Sequence, residues 1–274
     1  MLKKLALAFT LVGSAQITLA STFDDAVLAD EPVLYLPLWG RHAEPSSPDI
    51  TGGGHHGAYR PAGWVPRQTR MPNGDGATVF DGSGGFVEVS SVASLSVATT
   101  GVLTVEAWIR PDTLQFTRQE GDGYVHWAGK GEVGAFEYAL RMYSLENGAV
   151  PPRPNRISGY AFNLIGGLGS GSYFQDSVVR GRWIYVAMVI NTLNRSHDFP
   201  TGYVRIYKDG ILRKTTALDQ FHVVPESGSA PLRIGTRDLH SFFQGAIGKF
   251  AVYNYELNAI QLQSRVRAMA QTIQ

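Results

Sequence analysis

Not one cysteine occurs among the 274 residues. That absence excludes disulfides, thiolate zinc sites and a cysteine nucleophile. Charge is also scarce: Asp, Glu, Lys and Arg make up 17% of the chain, and the formal net charge is +1. A near-neutral chain gives no electrostatic case for nucleic acid or for an anionic membrane. Past the N-terminus, no apolar run is long enough to span a bilayer. Helical periodicity is missing too, except at the C-terminal end.

The N-terminus reads as an export signal. Lys3 and Lys4 form a basic start, residues 5–12 (LALAFTLV) an apolar stretch, and Thr18-Leu19-Ala20 supplies small residues for cleavage before Ser21. The expected organisation is a signal peptide over residues 1–20 and one domain over 30–270, in a secreted or periplasmic protein. Loss of Lys3 and Lys4 without any acid takes the formal charge from +1 to −1.

What is present is short alternating segments separated by turns, with 31 glycines and 14 prolines. Residues 101–112 (GVLTVEAWIRPD) set the pattern. Leu103, Val105, Ala107 and Ile109 fall on one face of a strand; Thr104, Glu106, Trp108 and Arg110 fall on the other. Pro111 lacks an N–H for further pairing. Similar segments lie at 33–39, 78–90, 137–143, 157–165, 183–191, 202–208, 211–214, 232–235 and 246–253. Asp209-Gly210 is a strong hairpin signal. Only residues 258–270, with Asn258 as N-cap, predict a helix in the mature chain. The fold class that follows is all-β: a two-sheet antiparallel β-sandwich or jelly roll with a short C-terminal helix.

Several stretches together resemble the laminin-G-like, concanavalin A-like jelly-roll family. Tyr35-Leu36-Pro37-Leu38-Trp39 resembles its opening strand. The run from Asp49 to Gly57 (DITGGGHHG) resembles its D-x-S-G-N-G-x-x-G turn. Residues 80–89 (FDGSGGFVEV) resemble its F-D-G-x-x-D-Y-V-x-V strand pair, and residues 101–111 its F-T-V-x-A-W-V-K-P strand. Gly181-Arg182-Trp183, the hairpin at 204–212 and the closing stretch at 243–257 follow in the family order. The resemblance implies the fold and not an activity, since one fold hosts many functions.

The resemblance also implies a calcium ion held by the turn aspartate, here Asp49, with an aspartate of the closing motif. Gly248 stands at that second position. Calcium needs six to eight oxygens, so Asp49 is the metal-ligand candidate beside the alternative of a glycine-rich turn. His55 and His56 are adjacent, point apart and read as turn residues.

The ligand-binding candidates come from strand parity. Glu106, Trp108 and Arg110 share the non-core face of one strand, and Arg141 and Tyr143 have the outward parity of another. An indole stacks on the apolar face of a sugar while acid and guanidinium bond its hydroxyls. The expectation is an open, concave sheet face binding a glycan; the competing reading is a salt-bridged surface or a second core layer.

No catalytic signature accompanies this face. The E-x-D-x-x-E of the fold's glucanases does not occur, and Gln220-Phe221-His222 lacks the companion motifs of alginate-type lyases. The function expected is a secreted, non-catalytic carbohydrate-recognition module. The alternatives are a polysaccharide-cleaving hydrolase or lyase and an adhesive surface protein with a protein partner.

Overall fold

Strands with one apolar parity pair edge to edge, and two such sheets bury that parity against each other. The computed structural model describes residues 23–39 and 45–270; the expected signal peptide lies outside them. With strands numbered along the chain, the first eight-stranded sheet holds β1 (Leu34–Leu36), β4 (Arg67–Arg70), β5 (Gly76–Asp81), β7 (Val102–Pro111), β12 (Ile184–Asn191), β13 (Tyr203–Lys208), β14 (Ile211–Ala217) and β16 (Gln244–Tyr253). The second, also of eight, holds β2 (Ser46–Ser47), β3 (Gly57–Arg60), β6 (Phe86–Val89), β8 (Tyr124–Lys130), β9 (Tyr138–Tyr143), β10 (Ile157–Ala161), β11 (Ser170–Phe174) and β15 (Leu232–Ile234).

The order in the first sheet is β14-β13-β12-β7-β16-β5-β4, with β1 on β16; in the second it is β11-β10-β9-β8-β15-β6-β3-β2. The long strands β7 and β12 run antiparallel in unbroken register from Ile109 against Ile184 to Val102 against Asn191. The core between the sheets contains the inward parity expected from sequence: Leu103, Val105, Ala107, Ile109, Ile184, Val186, Met188, Ile190, Val204, Ile206, Phe250 and Val252 are all buried there. Asp209 and Gly210 join β13 to β14 at φ of +51° and +77°, the left-handed pair that a two-residue hairpin demands.

Three α-helices accompany the sheets among the described residues: α1 (Phe23–Leu28), α2 (Val97–Thr100) and α3 (Ala259–Ala270). The helix α3 starts where expected. Asn258 Oδ1 accepts from the N–H groups of Ile260 and Gln261, and Gln261 Oε1 accepts from Asn258 N, which is a reciprocal capping box. The short α1 and α2 were not expected; six and four residues are too few to show a helical period.

α1 and α3 decide the layering. They lie on the outer face of the first sheet, where Phe23, Val27, Leu262 and Met269 join Tyr35, Trp108, Tyr185 and Tyr253 in a second buried cluster. The sandwich therefore has a third layer over one sheet.

Candidate functional site

The third layer overturns the expected open face on β7. Glu106 is completely buried and Trp108 is 6% exposed. Trp108 packs on Tyr185 with ring centroids 5.5 Å apart. The Glu106 carboxylate accepts from the hydroxyls of Tyr185 and Tyr253 and from Arg265 Nε of α3 at 3.2 Å. Burial and the Glu106 charge hold the Tyr185 hydroxyl well above the usual phenol range. Arg110 is committed as well: Nε and Nη2 reach the Asp112 carboxylate at 2.8 and 3.0 Å, and Nη1 reaches Thr69 Oγ1. The acid and indole are on the non-core side of β7 because a helix brings the matching apolar surface and cation. Arg141 and Tyr143 do not join them; they belong to β9 of the other sheet.

On that second sheet the outward parity makes a different site. Pairing aligns a cross-strand row: His126 of β8 opposite Arg141 of β9, Arg141 opposite Ser158 of β10, and Ser158 opposite Tyr173 of β11. The next row sets Gly171 opposite Tyr160. A Cβ at Gly171 would lie 2.2 Å from the Tyr160 ring, so the missing side chain lets that ring lie across the edge strand. Loops from three directions close over these rows: the proline-rich β9–β10 loop with Arg153 and Arg156, the β10–β11 loop, and the turn after β14 ending at Phe221.

Together they enclose a cavity of about 420 Å³, within the usual size of a small-ligand site. Its cations are Arg141, Arg153, Arg156 and Lys214; its rings are Tyr124, Tyr160, Phe162, Tyr173 and Phe221; no carboxylate is among the lining residues. The Arg141 guanidinium carbon sits 4.4, 4.7 and 5.3 Å from the ring centroids of Tyr124, Tyr160 and Phe162. Arg156 and Lys214 each lie 3.9 Å from the Tyr173 centroid. A hydrogen bond with Lys214 and the charges of Lys214 and Arg156 lower the Tyr173 pKa. Tyr143 is buried beside the cavity, and its hydroxyl accepts from Arg153 Nη1 at 2.6 Å, which positions that arginine.

Behind Arg141 lies a polar cluster. Arg141 Nε donates to His126 Nε2 at 3.0 Å, and His126 Nδ1 faces Glu120 Oε1 at 2.7 Å and Asp238 Oδ1 at 3.8 Å. Glu120, His126 and Asp238 are of the type that holds a metal, with one ligand atom from each within 4.8 Å of the others. The hydrogen bonding opposes it. Arginine is always protonated, so Nε2 is the acceptor and the ring proton sits on Nδ1, the nitrogen a metal there would need bare. Arg237 already pairs with Asp238. Burial raises the Glu120 pKa, with the Asp238 charge adding to it.

The surroundings of Asp49 do not fit calcium. Oδ1 accepts from Tyr35 N, Thr51 N and Thr51 Oγ1, and Oδ2 accepts from His55 N. These bonds lower its pKa against the effect of burial. Gly248 brings no carboxylate and packs near Met71. The neighbouring Lys249 ammonium lies 2.6 Å from Asp24 and 2.7 Å from Asp75. One carboxylate engaged by its own turn is well short of six oxygens.

Most of the cavity was not singled out from sequence. Tyr160 and Tyr173 carry a weak signal, the outward parity of ISGYA and SGSYF. Arg153, Arg156, Lys214 and Phe221 carry none, because loops and an edge strand of the other sheet bring them in.

Comparison with known proteins places the fold. A search of curated proteins finds no match. The chain is similar to the receptor-binding domain of botulinum neurotoxin type G, at 14% identity and a TM-score of 0.57 over 86% of this chain and 51% of that one. It is similar to the serotype D ligand-binding domain solved in complex with N-acetylneuraminic acid, at 13% and 0.60, over 88% and 52%. It is equally similar to the binding domain of botulinum neurotoxin DC solved with rat synaptotagmin II, at 13% and 0.60, over 88% and 52%. This chain spans about half the length of each, and at such identities the likeness is one of fold alone. Residues 81–263, more than half of the chain, match the Laminin_G_3 family model, and the protein belongs to this family of the concanavalin A-like lectin/glucanase superfamily.

Proposed function

We propose that the protein is a carbohydrate-recognition module and that the cavity on the outer face of the second sheet holds the sugar. One observation carries the reading. The rings of Tyr160, Phe162, Tyr173 and Phe221 and the donors of Arg141, Arg153, Arg156, Lys214 and Gln220 converge on one space. Aromatic faces take the apolar side of a pyranose and donors take its oxygens, the mixture a sugar site requires. The serotype D neighbour was solved with a sugar, which supports the class of ligand. The export signal expected at residues 1–20 fits a protein that meets glycans outside the cytoplasm.

Recognition is favoured over cleavage by position. The carboxylates of Glu120 and Asp238 lie behind Arg141 and are absent from the cavity lining, so the cavity offers no acid to protonate a glycosidic oxygen. A glycan array with a reducing-end assay on the same panel tests both. The expected outcome is capture of a glycan set that Tyr160→Ala loses and Trp108→Phe keeps, without release of reducing ends. An array on which the wild type captures nothing would remove the reading; steady release of reducing ends would make the protein an enzyme.

A further inference from the structure

We infer that the ligand of this cavity is an anionic glycan that presents negative groups at two places, one to Arg141 and one to the Arg156–Lys214 pair. The inference rests on the carbohydrate reading and adds the charge of the sugar. Arg141 is held from behind and from the sides. His126, neutral and fully buried, accepts from Nε, and three rings surround the guanidinium. Among the described residues no carboxylate lies within ion-pair distance of Arg141, and no protein acceptor is bonded to either Nη. The nearest acids lie behind it: Glu120, whose charge interacts with Arg141, faces His126, and Asp238 pairs with Arg237. A guanidinium fixed in orientation, with its two terminal nitrogens left over, is preorganised for the paired oxygens of a carboxylate or sulfate.

The second place has the same character. Arg156 and Lys214 share the Tyr173 ring, and neither has a carboxylate partner among the described residues. Arg153 adds a fourth charge, 3.8 Å from Asp122. Half-buried cations gathered around one cavity whose lining holds no carboxylate repel, and an anionic ligand relieves that repulsion. A neutral sugar leaves it in place and removes water from the cations as well. The cavity therefore selects for charge before it selects for stereochemistry.

Titration of the intact mature protein with polygalacturonate, heparin, neutral dextran and a single-stranded oligodeoxynucleotide tests this. Polygalacturonate offers carboxylates and heparin adds sulfates, so the tighter of the two identifies the anion. The expected result is binding to one of them at least about tenfold tighter than to dextran, weakening steeply between about 0.1 M and about 1 M salt. Arg141→Gln and Lys214→Gln should each weaken it about tenfold or more and flatten the salt dependence. Lys214 is on an edge strand, so its variant should melt like the wild type and report on binding even if Arg141→Gln disturbs the His126 cluster. Salt-insensitive binding of neutral glycans, unaffected by Lys214→Gln, would overturn the inference and leave the carbohydrate reading standing. Capture of no glycan at all would remove both. Equal affinity for the oligodeoxynucleotide would overturn the inference too, by showing a general polyanion site.

Discussion

Arg141 Nε and His126 Nε2 lie 3.0 Å apart in the cross-strand row of β9 and β8, and this bond settles the state of the histidine. The guanidinium can only donate, so the ring proton sits on Nδ1, the nitrogen that lies 2.7 Å from Glu120 Oε1 and 3.4 Å from Ser241 Oγ. Burial, with Arg237, Arg141 and His240 nearby, pushes the His126 pKa well below its ordinary value of 6.5. The imidazole is a neutral spacer between an acid and a base, and it aims Arg141 at the cavity.

That depressed pKa makes stability depend on pH with a definite sign. Below about pH 6.5 the unfolded chain binds a proton at His126 that the native protein refuses. His126 therefore favours the fold fully above that pH, and the contribution falls as the pH drops, by up to about 1.4 kcal/mol per unit. Glu120, raised by its burial, acts in the opposite sense above its ordinary 4.5. Urea midpoints from about pH 5.5 to about 7.5 should decline on the acid side for the wild type and decline less for His126→Gln. Equal slopes in the two proteins would contradict the buried neutral histidine.

Trp108→Ala should cost about 3–5 kcal/mol, the loss expected for truncating a core aromatic. Its ring is enclosed by Tyr185 and the α1 and α3 layer. Under conditions where the variant is folded, glycan binding should equal that of the wild type. Chemical denaturation paired with a binding titration checks both halves.

Arg265→Ala should cost about 3–5 kcal/mol, because it strands Glu106 as a buried carboxylate without its cation. The double variant Arg265→Met with Glu106→Gln should recover much of that loss. A thermodynamic cycle on the two sites measures the coupling; additive losses would show that Arg265 stabilises through its other partners, Asp30 and the Ala26 carbonyl, and not through Glu106.

Removal of calcium should change nothing. Melting temperatures in EDTA and in excess calcium should coincide, whereas Asp49→Ala should cost about 1–3 kcal/mol by leaving buried turn donors unpaired. A rise in melting temperature with calcium would show ion binding by mass action.

Alternation along β7 and β12 determined the sandwich from the sequence, because the two faces of a strand are written as odd and even positions. The inward set from Leu103 to Val252 was legible for that reason, and so was α3, whose Asn258 cap and apolar spacing are local. The outward parity of Arg141 was legible too, which is why one candidate lines the cavity.

Tertiary structure alone decided what lies over each outward face. Parity records that Glu106 and Trp108 leave the core, not that Arg265 returns through α3 to meet them, since a pairing across 159 positions leaves no mark on the strand itself. The same holds for the cavity. Arg156, Tyr173, Lys214 and Phe221 come from a loop, two strands of different sheets and a turn, and only the closure of the sandwich brings them together. A strand's pattern follows from its own backbone geometry; a binding site is made by segments that meet because the core fixes where they end.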